Sequence, residues 1–322
     1  MSDLIKYAYA LQAAGPRDAL SEAAAITLLR DDALAWVHLD GTHAQARSWI
    51  EANLSYLDPH AISALLAEET RPRATRIGDG VLVILRGVNL NDGAEAEDMV
   101  SVRIWVDAQR VVSVARRRVW AVEDIAARIK AGESFDAGAF LALLAERLAV
   151  RIDGFGRELD DMSDDLEEEV AGTPEAALRR RLVDHRLRTI TFRRYVAPQR
   201  DALEALVLTD GPLFLPEDRR RLQETHDRLT RLVEDLDAMR ERLTVLREEL
   251  AGQLSERLNR NMYLISVISA VFLPLGFLTG LFGVNVGGMP GVESPRAFWW
   301  LCGGMGTIVA LQLLLLLRWR WV

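Results

Sequence analysis

Residues 262–282, MYLISVISAVFLPLGFLTGLF, carry no charged side chain, and neither do residues 298–317, FWWLCGGMGTIVALQLLLLL. At about 1.5 Å per residue each run makes a helix of roughly 30 Å, the thickness of a bilayer's hydrocarbon core. Two core helices of a soluble protein could share this composition, but uncharged runs this long stand out in a chain that is 27% charged. Both are read as membrane spans. Arg257 and Arg260 precede the first, Arg318 and Arg320 follow the second, and the loop between them holds only Arg296 and Glu293. The positive-inside rule then puts both chain ends in the cytoplasm and the loop outside. Trp299 and Trp300 fall at the outer boundary and Trp319 and Trp321 at the inner, the headgroup depth that amphipathic rings favour. The opening MSDLIKYAYALQAAG has an acid before its only lysine and no long apolar core, so it does not read as a secretory signal.

Composition excludes several function classes. The single cysteine, Cys302, allows no internal disulfide and no zinc site built from several thiolates of one chain. A net charge of −8 argues against nucleic acid as a partner. No phosphate loop, dinucleotide fingerprint, serine elbow or metalloprotease motif occurs, so the chain is not expected to be an enzyme or to hold a cofactor. Lys6 and Lys130 are the only lysines, an arginine bias that suits a GC-rich bacterial genome.

The expected fold class is an α+β cytoplasmic domain over 1–136, a helical stalk over 137–257, and a transmembrane domain over 258–322 with its outer loop at 283–297. Alternating or β-branched runs at 34–39, 81–90 and 99–115, separated by Gly78-Asp79-Gly80 and Asn91-Asp92-Gly93, predict antiparallel strands and hairpins. Helices are predicted at 44–53, 59–69 and 121–130, then long ones at 137–170, 175–208 and 217–282, broken by Gly172-Thr173-Pro174 and by the stretch from Gly211 to Pro216.

The last of these carries two stripes. Leu222, Leu229, Leu236, Leu243 and Leu250 recur every seven residues, with Thr225, Leu232, Met239 and Leu246 between them, a seam for helix packing. Its partner is either the preceding helices of the same chain, the favoured reading, or a second copy. Asp227, Glu234, Glu241 and Glu248 also recur every seven residues, about 140° around the helix from the leucines. Continued upward, that side carries Gly252, Ser255, Asn259, Met262, Ser266, Ser269, Leu273, Gly276 and Gly280. A solvated surface explains the acids; it does not explain why the same face stays small and polar where lipid would select Leu, Ile, Val and Phe.

Two spans cannot enclose a pore, so transport requires a homo-oligomer with this face toward a common axis. Carboxylate rings would then concentrate cations, Asn259 would ring the inner mouth, and residues 262–273 would form a constriction lined by serine hydroxyls. Gly276 and Gly280 form a G-x-x-x-G pair that fits tight helix packing as well as a pore.

Residues 281–285 read Leu-Phe-Gly-Val-Asn, followed at 286–291 by Val-Gly-Gly-Met-Pro-Gly, then the second span and the terminus Arg318-Trp319-Arg320-Trp321-Val322. This resembles the CorA-type two-span GMN metal ion transporters, and within them the ZntB-like zinc branch. The family signature is Gly-Met-Asn; Val284 in its middle, with the Gly-Gly before Met-Pro, points to the zinc branch and puts magnesium selectivity in doubt. The resemblance covers the whole chain, in motifs from about 216 onward and in architecture before it. It implies a funnel-shaped homopentamer in the bacterial inner membrane that passes Zn2+, or other divalent cations, with lipid as its surroundings. By the same resemblance Gly283, Val284 and Asn285 form the outer entrance, where asparagine carbonyls hold a hydrated ion, and Asn259 and Met262 are inner pore positions. Neutral oxygens suit an ion that sheds water reluctantly. Glu293 either attracts cations to that entrance or is an ordinary loop acid.

A tight zinc site is not legible, because the membrane pore face has no Cys, His or carboxylate. His38 and His43 read as surface histidines more readily than as a ligand pair, His185 and His226 lie on different helices, and Cys302 reads as packing. The zinc branch's link to proton coupling gains little support, since neither span holds Asp, Glu, His, Lys or Arg to relay a proton. The acids Glu158, Asp160, Asp161, Asp164, Asp165, Glu167, Glu168 and Glu169 are either a divalent-ion sensor or a solvated face paired with Arg179–Arg181 and Arg193-Arg194, the favoured reading. A magnesium, cobalt or nickel channel and a membrane-anchored scaffold are the competing functions.

Overall fold

A computed structural model of the chain describes residues 4–318 apart from 14, 32, 173–175, 284–290 and 292. The chain divides into two units, Met1–Glu248 and Glu249–Val322. In the first, strands β1 (Ile5–Ala10), β2 (Ala35–Asp40), β3 (Arg73–Ile77), β4 (Gly80–Gly87), β5 (Val100–Val106) and β6 (Arg110–Ala115) form one sheet in the order β1-β2-β6-β5-β4-β3. The chain folds back on itself at the two predicted turns and again at 107–109, within what was read as one run over 99–115, so β3 to β6 are an antiparallel meander. β2, however, runs parallel to β6. Antiparallel pairing was the expectation; the parallel pair arises because two helices and three strands intervene, the long crossover that parallel neighbours need. β1 and β3 were not anticipated. β3 has the burial of an edge strand, mostly exposed and arginine-bearing, without the apolar alternation that marks a strand in sequence.

Both faces of the sheet are covered, which is why β4 is buried almost without a break. On one face, α1 (Glu22–Arg30), α2 (Ala46–Asn53) and α3 (Pro59–Leu66) enclose Val37, Leu39, Leu82, Trp105, Val112 and Val114. α1 was missed in the sequence although Ser21 caps it, accepting from the Ala24 amide. Beyond the strands come α4 (Trp120–Lys130), α5 (Ala137–Ala171) and α6 (Ala176–Val207), with Phe140 of α5 packed 5.0 Å from the Trp36 ring. Gln199 of α6 accepts from the Arg86 amide (2.6 Å) and donates to the Arg86 carbonyl (3.0 Å), standing in for a strand neighbour where β3 has not yet begun.

α7 (Pro216–Gly283) supplies the leucine seam. Leu222, Leu229, Leu236 and Leu243 are fully buried. Their seat is within the chain: a Cβ on Gly156 of α5 would collide with Leu232 Cδ1, and Thr189 of α6 donates to Met239 Sδ at 3.4 Å. Arg193 of α6 pairs with Asp237 at 2.6 Å. The seam therefore packs on the preceding helices and not on a second copy.

Candidate functional site

In the second unit, the end of α7 and α8 (Ala297–Arg318) are each long and apolar enough to cross a membrane, and their most apolar windows are 0% buried within the chain. Tyr263, Val267, Val271, Pro274, Leu275 and Leu278 of α7 are half-buried, as are Leu301, Met305, Ile308 and Gln312 of α8. Both sets recur at helical spacing, and the Gln312 side-chain amide donates to the Ala270 carbonyl at 3.3 Å. α8 thus takes one side of α7 and leaves the opposite side bare.

The bare surface includes the small and polar stripe, beside large apolar side chains such as Ile265, Phe272 and Phe277. Asn259, Met262, Ser266, Ser269, Leu273, Gly276 and Gly280 are all exposed, Met262 at 66% and Leu273 at 72%. A Cβ on Gly252, Gly276 or Gly280 would meet nothing within 4 Å, so among the described residues none packs on the G-x-x-x-G pair. Ser266 donates to the Met262 carbonyl at 2.9 Å, which satisfies its hydroxyl along the helix and leaves its oxygen free to accept. Gly283 is the last residue of α7. Val284 and Asn285 lie outside the described residues. Glu293 is exposed in the segment that Ser294 closes with a hydrogen bond to the Gly291 carbonyl.

The acid stripe belongs to the first unit, where Asp227, Glu234, Glu241 and Glu248 are exposed. Hydrogen bonds from Gln223 and then His226 hold the Asp227 carboxyl below its usual range. Glu234, Glu241 and Glu248 make no ion pair among the described residues, although the chain has 39 basic residues. The acids of α5 differ. Arg242 of α7 reaches Asp160, Asp164 and Glu167, and Arg181 reaches Glu169, so part of this cluster is neutralised, chiefly by a residue outside the arginine runs that were expected to do it.

The histidines do not converge. His38 is not on the surface: it is buried on β2 with Nδ1 2.8 Å from Ser113 Oγ, and burial pulls its pKa down to about 4. His38 lies beside the Trp36 and Tyr7 rings, on a face of β2 that is buried as fully as the other. His43 accepts from the Gln45 amide, buried His185 lies 2.8 Å from Ser163 Oγ, and His226 lies beside Asp227. Cys302 is half-buried on α8. Among the described residues no group of three or more His, Cys, Asp and Glu could hold a metal. Sequence reading also missed an arginine-lined cavity beside β4 and β5. Its one signal was Arg103 within the otherwise apolar run Val102-Arg103-Ile104-Trp105-Val106.

The profile of the CorA-like Mg2+ transporter protein matches residues 31–318. The chain is 38% identical over 324 residues to the divalent cation transporter CmaX of Pseudomonas aeruginosa, which covers 98% of this chain and 96% of that one. To the zinc transport protein ZntB of Pectobacterium carotovorum it is 40% identical over 274 residues, 83% of this chain and 81% of the other. The solved structure of full-length CmaX aligns with a TM-score of 0.85 and 37% identity over 100% of this chain and 99% of that one. The CorA magnesium transporter of Methanocaldococcus jannaschii, at 17% identity, shares the fold with a TM-score of 0.77 over 95% of each chain. A two-span chain with this helical and sheet order, matched along nearly its whole length, is a member of the CorA-like transporter family, in its ZntB-like branch.

Proposed function

We propose that this chain transports divalent metal cations across the bacterial inner membrane, zinc before magnesium, through the central pore of a homopentamer. Family membership makes it a transporter and not an enzyme, and relatives named as zinc and divalent cation transporters support the class of cargo. The observation that carries the pore is the bare face of α7 from Asn259 to Gly280, which α8 does not cover. Its Asn259, Ser266, Ser269, Gly276 and Gly280 favour contact with another helix or water over lipid, and Met262 and Leu273 sit among them. Five copies would turn it into a lining.

In this reading Gly283, Val284 and Asn285 form the outer entrance, Glu293 draws cations toward it, and Met262, Ser266, Ser269 and Leu273 line the narrow part. With no charged ligand on the face, the ion keeps its water shell and meets carbonyl and hydroxyl oxygens only. The unpaired carboxylates Glu234, Glu241 and Glu248, with Asp227, raise the local cation concentration on the cytoplasmic side, where both termini lie. Proton coupling would act through loop or cytoplasmic carboxylates, since neither span has Asp, Glu, His, Lys or Arg. A magnesium, cobalt or nickel channel is the second reading, favoured by the magnesium transporter profile that the chain matches.

Proteoliposomes with a trapped dye test this. Zinc influx exceeding magnesium influx and lost in Asn285→Ala supports the proposal, and acceleration by a pH gradient adds proton coupling. Magnesium influx without zinc influx supports the second reading, and no flux of any divalent ion from an intact oligomer rejects both.

A further inference from the structure

Beside β4 and β5, past the C-terminal end of α3, lies a cavity of about 630 Å3. Six arginines line it, Arg71, Arg86, Arg103, Arg116, Arg117 and Arg194, against the acids Glu68, Glu69 and Asp98. Arg116 is paired with Glu68 at 3.2 Å and Arg117 with Asp98 at 3.0 Å. Among the described residues the other four arginines have no carboxylate partner. This excess of positive charge sits in a chain whose net charge is −8.

Buried polar atoms without a hydrogen-bond partner among the described residues belong to the same lining. Arg103 is 1% exposed; its Nη2 donates to the carbonyls of Ala67 (2.6 Å) and Glu68 (3.1 Å), closing the end of α3, while its Nε and Nη1 have no partner. Arg86 donates through Nη1 to Met99 (2.7 Å) and through Nη2 to Thr70 (2.8 Å), and its Nε is unpartnered. The Thr70 hydroxyl is buried and unpartnered as well. Unmet buried donors are costly, and few occur in a native fold, yet three of these residues line one cavity. Burial, and then the charges of Arg116 and Arg86, pull the Arg103 pKa down to about 10, as expected where six arginines outnumber three carboxylates.

We propose that this cavity binds a phosphate-bearing anion. Arginine forks match the oxygens of phosphate two at a time, a multiply charged oxyanion balances the surplus that a single carboxylate would leave, and the volume accommodates a phosphate chain as well as one phosphate group. The site is built from residues of the first unit alone and makes that unit a receptor for an anionic ligand.

The test is calorimetric titration of the full-length protein in detergent with inorganic phosphate, pyrophosphate and ATP, in chelator and against chloride at equal ionic strength. Saturable binding of at least one probe is expected, weakened by about tenfold or more in Arg103→Gln. Tighter binding of pyrophosphate and ATP than of phosphate identifies a phosphate chain as the ligand; equal binding identifies a single oxyanion. Arg103→Gln removes a helix-end contact, so the exposed pair Arg71→Gln/Arg194→Gln serves as a second variant, with at least about a threefold loss expected and folding intact. No saturable binding at about 10 mM of any probe, or binding undiminished in both variants, overturns the proposal.

Discussion

Replacing Leu236 with alanine separates the two stripes of α7. Leu236 is 0% exposed, and its neighbours on the seam leave no slack: Val233 and Met239 are 3% exposed, and Leu232 already fills the space above Gly156. A leucine truncated in a site that cannot collapse costs its transfer free energy plus a cavity, about 3 kcal/mol here. For a unit of this size each kcal/mol moves Tm by about 2–4 °C, so Leu236→Ala lowers Tm by about 6–12 °C. Glu234, two residues away, is exposed and has no ion pair among the described residues, and Glu234→Ala changes Tm by no more than about 2 °C. The assay is thermal unfolding of the detergent-solubilised protein followed by tryptophan fluorescence, with both variants in the same buffer. Equal shifts, or a loss in Glu234→Ala larger than in Leu236→Ala, would refute the division of this helix into a packing face and a solvent face.

Gly138→Ala places a Cβ against the Leu213 carbonyl and 2.9 Å from Asp218 Oδ2, at the start of α7, so backbone must move and about 2–3 kcal/mol is lost, read as a Tm drop; an unchanged Tm contradicts the packing there. His38 is buried neutral with its pKa depressed from 6.5 to about 4 by burial, the lowering by Lys6 being offset by Asp40 and Glu123. The unfolded chain therefore takes up the proton first, so stability present above pH 6.5 is lost as pH falls toward 4, by on the order of 3 kcal/mol, and His38→Gln flattens that part of the Tm–pH curve. Glu234→Gln/Glu241→Gln lowers metal flux by roughly threefold at low salt, a difference that shrinks as ionic strength rises; a salt-independent difference would assign these carboxylates a role other than attraction.

The parts of the fold legible in sequence are those with a strong period or a strong boundary. Uncharged runs, the leucine heptad and the Gly-Pro breaks announced α5 to α8 because long helices repeat one signal many times. The strands gave less. β3, at the sheet edge, is Arg73-Ala74-Thr75-Arg76-Ile77, mostly exposed and without apolar alternation, and the parallel pairing of β2 with β6 depends on a crossover that no local pattern encodes. His38 looked like a surface residue because its partner, Ser113, is 75 residues away. The arginine cavity was hidden for the same reason: Arg71, Arg86, Arg103 and Arg194 come from separate segments that only the sheet and α6 gather. The bare face of α7, by contrast, could be read directly, since one helix carries all of it.

The claim that this face lines the ion path is tested most directly by thiol block of zinc flux. In a Cys302→Ser background, which removes the chain's only cysteine, single cysteines are placed at Ser266, Ser269 and, on the α8 side, Val271. A water-soluble methanethiosulfonate reagent is expected to abolish flux through the Ser266→Cys and Ser269→Cys proteins and to leave the Val271→Cys protein conducting. Block at Val271→Cys with flux intact at the two serine positions would contradict the account.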